Sequence, residues 1–72
     1  MNILDLHGQK HSVVEDMVES FILMNPLPLK IITGKSEMMI SIMVRIVQKH
    51  NLGHYPENFI NYGAYIIHEK TQ

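Results

Sequence analysis

The sequence predicts a single small α/β domain, a two-layer sandwich with the element order β-α-β-α-β-β. Three observations carry that expectation. Two short apolar runs, Leu4 to Leu6 and Leu29 to Thr33, each end in a polar, glycine-containing turn, His7-Gly8 and Gly34-Lys35-Ser36. Each turn leads into a segment of helical apolar periodicity, and the runs lie about 25 residues apart, which suits a βαβ crossover. The last third of the chain reads as two further short strands around a turn at Asn61-Tyr62-Gly63.

The first strand is Asn2 to Leu6. Its alternation sends Leu4 and Leu6 to one face and Asp5 and His7 to the other, with the Cα atoms of the polar pair ~7 Å apart. Helices on one face only would cover the two leucines and leave Asp5 and His7 on the open face or in the strand-end crevice. Gly8 permits the turn that follows. The first helix runs from Val13 to Met24. Ser12 and Glu15 fit a capping box, and Val14, Met17, Val18, Phe21 and Ile22 form one apolar stripe. Asn25-Pro26-Leu27-Pro28 stops this helix and forces an extended connection into the second strand, Leu29 to Thr33.

The second helix starts near Ser36 or Glu37 and ends around His50. Ile40, Met43, Val44 and Val47 make its core stripe, while Met39, Ile42 and Ile46 widen the apolar surface beyond one face. That excess points to a second contact, with the C-terminal strands or with another molecule, whether a second copy or a larger complex. Lys49 and His50 suit the negative end of the helix dipole, and Asn51 with Gly53 supplies the stop. The remaining strands are His54 to Ile60 and Ala64 to His68. Pro56 makes the first of them start late or lie on an edge, and Glu69 to Gln72 is a frayed tail.

At 72 residues there is room for one core, residues 1–72, and a composition 46% hydrophobic and 18% charged is that of a folded chain. Such a domain is expected to be marginally stable, and without cysteine neither a disulfide nor a thiolate zinc site braces it. Asp5 and His7 interrupt the N-terminus where a signal peptide needs an apolar stretch, and the apolar run Met38 to Val44 is too short to span a bilayer. A soluble cytoplasmic protein with no membrane partner is expected. The net charge of −1 argues against a strongly basic nucleic-acid surface. Affinity for phosphates would have to come from local clustering of Lys10, Lys35, Arg45 and Lys49, with His7, His11, His50 and His54.

The crossover places both glycine turns on one edge of the sheet, where open α/β sheets bind ligands. His7 is the leading candidate for chemistry there, because an ordinary imidazole titrates near ~6.5 and exchanges protons at neutral pH. Breaking a phosphodiester requires one oxygen to lose a proton and another to gain one. The bland alternative, a histidine that only caps its turn, carries comparable weight. Asp5 can orient the imidazole, as carboxylates do in catalytic triads, and a magnesium ligand is the second role open to it. Its bland counterpart is a carboxylate bonded to turn amides. Gly34-Lys35-Ser36 suits a phosphate cradle, with backbone amides at a helix start and one full positive charge. It is not a Walker A loop, which would need glycine where Leu29 stands. Ordinary helix-start chemistry explains Gly34 and Ser36 but leaves Lys35 without a reason. The histidine pairs His7/His11 and His50/His54 are four apart but interrupted by Gly8 and Gly53, so no structural metal site is expected.

Leu4-Asp5-Leu6-His7-Gly8 with Thr33-Gly34-Lys35-Ser36 resembles the Smr (small MutS-related) domain family, which opens on an LDLHG strand and carries TGKG or TGRG after its second strand. The resemblance covers nearly the whole chain, including the late Asn61-Tyr62-Gly63-Ala64 turn. It implies a fold similar to the C-terminal domain of bacterial translation initiation factor 3. It also implies nicking or cleavage of RNA or DNA. On that resemblance Asp5 and His7 are the catalytic pair, and Gly8, Lys10, Gly34, Lys35 and Ser36 bind the nucleic acid. The chain departs from the family where Ser36 replaces the second glycine, and the His-Ser element that follows it is absent, Glu37-Met38-Met39 running straight on. Phosphate binding with weak turnover is the outcome expected of a side chain at that position. Two alternatives stand beside cleavage: a binding module of the same fold, and a small interaction domain or homodimer built on the second helix.

Overall fold

A computed structural model describes residues 1–58, 60 and 63–70. The elements are β1 (Asn2–Asp5), α1 (His11–Met24), β2 (Leu29–Ile32), α2 (Glu37–Lys49), β3 (Leu52–Pro56) and β4 (Ala64–Glu69), in the expected order. They form a mixed four-stranded sheet, β1-β2-β4-β3, with β1 and β2 parallel and β4 antiparallel to both its neighbours.

Register and burial together place both helices on one face. Leu4 and Leu6 of the first strand region, Leu29 and Ile31 of β2, and Tyr65 and Ile67 of β4 share that face by alternation and pairing. Of these, all but the half-buried Leu4 are buried, and they meet Val14 and Val18 of α1 and Met39, Met43, Ile46 and Val47 of α2 in one core. Each large aliphatic side chain buried this way contributes about 1.5–3 kcal/mol, which a domain this small cannot spare. The other face carries Ile3, Asp5, Lys30, Ile32, Ile66 and Tyr55, with the Lys30–Glu57 ion pair (2.5 Å) lying across β4.

Several local expectations need correction. No capping box forms: α1 begins at His11 with Lys10 as N-cap and no side-chain cap. The tight turn at Gly8, closed by the Gln9 amide on the Leu6 carbonyl (3.0 Å), brings the chain into the helix early, so Ser12 already lies inside it. Glu15 reaches instead to Arg45 on α2 (2.6 Å). The core stripe of α2 is rotated to Met39, Met43, Ile46 and Val47, while Ile40, Ile42 and Val44 are half-buried flanks packed on the core. The breadth of this helix is absorbed within the domain, because Ile40, Ile42 and Val44 pack against the core and α2 contacts both α1 and β3. Its one exposed large apolar side chain is Met38.

Asn51, at φ +57°, turns the chain out of α2 alone, so β3 starts at Leu52 rather than His54. Gly53 is part of that strand, and it lacks a side chain because the His68 ring lies over it; a Cβ there would sit 2.3 Å from a ring carbon. Pro56 ends β3 on the sheet edge. Of the expected turn, Asn61 and Tyr62 lie outside the described residues, as do Thr71 and Gln72 of the tail. No helix among the described residues is long and apolar enough to cross a membrane.

Candidate functional site

The parallel pairing of β1 with β2 decides where the two turns go. The Leu6 amide donates to the Ile32 carbonyl (2.8 Å), closing the last rung of the ladder, and both chains leave the sheet on that edge within a strand spacing of about 4.8 Å. Gly8 (φ +78°) and Gly34 (φ +66°) make the turns, and nothing lies within 4 Å of where a Cβ would be at either. Glycine is needed there for its backbone angle, and the space above both turns is open. The structure therefore brings Asp5, His7, Gly8, Lys10, Gly34, Lys35 and Ser36 to one exposed edge.

Asp5 and His7 are both solvent-exposed, with Leu6 between them in the core. One Asp5 oxygen accepts the His7 backbone amide (2.9 Å), an Asx-type turn. The carboxylate thus holds the backbone that carries the imidazole, not the ring itself, and the ring has no hydrogen-bond partner among the described residues. The expected ring-orienting role is replaced by a turn-fixing one, leaving the second carboxylate oxygen free to act.

The second turn is held from beneath. The amides of Thr33 and Gly34 both donate to the Gly63 carbonyl (2.8 and 3.0 Å), and the buried Thr33 hydroxyl donates to the Gly34 carbonyl (2.8 Å) and lies 3.3 Å from that of Gly63. The Gly34 amide is consequently taken and leaves the expected cradle. The Ser36 hydroxyl caps α2 by accepting the Met39 amide (3.2 Å). The amides of Lys35, Ser36, Glu37 and Met38 have no partner among the described residues and open the helix to the edge.

The charges sort themselves by position. Arg45 pairs with Glu15, Lys49 and His50 share Glu19 (3.3 and 3.0 Å), and Lys30 pairs with Glu57, so these cations are engaged away from the edge. Lys10 and Lys35 have no ion pair among the described residues and stand at the edge with His7 and His11. Asp5 and Glu37 share that edge, so it is mixed in sign and not a basic patch. Burial works to raise the Glu19 carboxyl, but hydrogen bonds from His50 and Lys49 outweigh it and hold its pKa below the usual carboxylate range. Burial, reinforced by the charge of His68, pushes the His54 imidazole down. Both lie outside the candidate edge.

Among the described residues no cluster of three or more His, Cys, Asp and Glu is placed to hold a metal. Asp5 is a single carboxylate with one oxygen already bonded, so the side chains here do not by themselves fit a magnesium site. The Thr33–Gly63 clamp had no local signal in the sequence, because its partners are thirty residues apart. Comparisons with protein-family models, with curated proteins and with solved structures return no match to this chain.

Proposed function

We propose that this chain is a small Smr-like nuclease domain that binds RNA or DNA along the strand-end edge and cleaves phosphodiester bonds there. The fold is taken to be similar to the C-terminal domain of bacterial translation initiation factor 3, working in the cytoplasm. The observation that carries the proposal is the last rung between Leu6 and Ile32, which sets the LDLHG and TGKS turns side by side. Around that rung stand an unpartnered imidazole, two unpaired lysines and a helix start with open amides.

In the proposed reaction a phosphate lies between the two turns, held by Lys35 and the amides from Lys35 onward. His7 removes a proton from the attacking oxygen or returns one to the leaving oxygen. In RNA the attacking oxygen is the neighbouring 2′-hydroxyl. It forms the new P–O bond as the P–O bond to the 5′-oxygen breaks, with His7 carrying one of the two protons and water the other; in DNA, which lacks that hydroxyl, water is the attacking oxygen. Asp5 fixes the backbone that carries the His7 imidazole.

A binding-only role is favoured by one observation: Asp5 is bonded to the His7 amide and not to the ring, so nothing among the described residues aligns the imidazole. Labelled single-stranded, duplex and branched RNA and DNA, incubated with magnesium or with chelator, separate the two roles. Products that disappear with His7→Ala support cleavage. Binding without product from wild-type protein supports the binding module.

A further inference from the structure

β1 is an edge strand with an unpaired outer rim. The bond from the Leu6 amide to the Ile32 carbonyl, with Leu4 opposite Ile31, turns the backbone groups of Leu4 and Leu6 toward β2. The N–H and C=O groups of Ile3 and Asp5 therefore point outward, and none has a partner among the described residues. The opposite edge, β3, is blunted by Pro56, whereas β1 carries no proline and no lysine or arginine.

Beside this rim, on the helix side, lies an open groove of about 370 Å³ lined by Leu4, Met17, Phe21 and Met24, with Ser20 and Asn25 at its margin. Met24, which lines it, is 80% exposed, and Ile3, on the opposite face of β1, is 57% exposed. Unpaired backbone and uncovered apolar surface side by side mark a pairing edge.

We infer that this edge is a homodimer interface, in which β1 pairs antiparallel with β1 of a second copy to make one eight-stranded sheet. A second copy is the occupant because the edge is complementary to itself. With a two-fold axis through Leu4, Ile3 of each copy faces Asp5 of the other, and each such pair exchanges two backbone hydrogen bonds. Leu4 meets its counterpart at the close, non-hydrogen-bonded position, and the two grooves close into one apolar layer between the α1 helices. The contact is one four-residue strand with one helix flank, so the pairing is of the small, concentration-dependent kind. The inference does not rest on the nucleic-acid role, since the two strand-end edges lie at opposite ends of the shared sheet.

The test is sedimentation velocity of the full chain without nucleic acid, from low micromolar to several hundred micromolar, with hydrogen exchange on the same samples. The mass should rise from 8.3 kDa toward twice that value. The Ile3 and Asp5 amides should gain protection as it rises, while the inward Leu4 amide is indifferent. Charge variants read the register: Ile3→Glu places a carboxylate opposite Asp5 and Ile3→Lys an ammonium, so the lysine variant should dimerise at least about tenfold more tightly than the glutamate variant. Met24→Lys should weaken the dimer by a similar factor. A monomer at every concentration overturns the inference. So does a dimer in which the two Ile3 variants are equal, or one whose Ile3 and Asp5 amides stay unprotected.

Discussion

Replacing Lys35 by alanine should change the salt dependence of nucleic-acid binding by an amount the ion pairs fix in advance. The chain has six lysines and arginines. Lys30, Arg45 and Lys49 are engaged by Glu57, Glu15 and Glu19, and Lys70 follows β4 at the far end of the sheet, which leaves Lys10 and Lys35 at the edge. Two phosphate contacts give a slope of log affinity against log salt of about −1.4 for a single strand and about −1.8 for duplex DNA. Raising salt fourfold then weakens wild-type binding by about sevenfold or about twelvefold respectively. Lys35→Ala should halve the slope and reduce the same loss to about threefold. Fluorescence anisotropy with labelled RNA and DNA reads both slopes, and Arg45→Ala, whose guanidinium is held by Glu15 on the helix layer, should leave them unchanged. An unchanged slope in Lys35→Ala, or a wild-type slope beyond about −4, would show that other cations carry the contact.

Leu6 is fully buried between two exposed site residues, so Leu6→Ala should cost about 2–5 kcal/mol and Leu6→Asp should unfold the domain, while His7→Ala leaves the urea midpoint in place. Ser36→Gly should raise cleavage more than affinity, at a cost of only a few tenths of a kcal/mol for the lost cap; Ser36→Ala, without the backbone freedom, should cost about 1 kcal/mol and restore nothing. Thr33→Val should cost about 1–3 kcal/mol by removing the hydroxyl that donates to the Gly34 carbonyl beneath the second turn, while the Gly63 carbonyl keeps the Thr33 and Gly34 amides; urea melts read the loss. Acid should destabilise the fold in two stages. The lowered His54 pKa means the unfolded chain takes up protons first, so its contribution is complete above the ordinary value of 6.5 and lost as pH falls through the folded value. The lowered Glu19 pKa adds stability above the ordinary 4.5 that is lost on further acidification, and His54→Phe should abolish only the earlier stage.

What was legible in the sequence was local. Alternation in Leu4-Asp5-Leu6-His7 put the leucines under the helices and the polar pair outside, and Gly8 and Gly34 announced turns that do need positive φ. Ser36 announced the cap it provides. Where neighbours decide, local pattern ran out. The stripe of α2 was broad enough to admit more than one rotation, and contact with α1 and β3 selected Met39 and Ile46 over Ile40 and Val44. Ser12 and Glu15 had the spacing of a capping box, but the Gly8 turn set the helix start and Arg45 claimed the glutamate. At the candidate site the residue types were visible while their bonds were not. Asp5 turned to the His7 amide, and the Gly34 amide went to Gly63, a residue reached only after two strands and a helix. Pairing of Arg45 and Lys49 likewise removed cations that composition alone would have counted toward phosphate binding.

The measurement closest to the central proposal is single-turnover cleavage of end-labelled RNA and DNA by wild-type protein and by His7→Ala, with anisotropy on the same pair. The proposal expects wild-type product on at least one of these substrates, a rate lower by about 10²–10⁴ in His7→Ala, and unchanged affinity, since the imidazole acts on the proton and Lys35 on the phosphate. Absence of product from wild-type protein on every substrate, or equal rates from the two proteins, would contradict it.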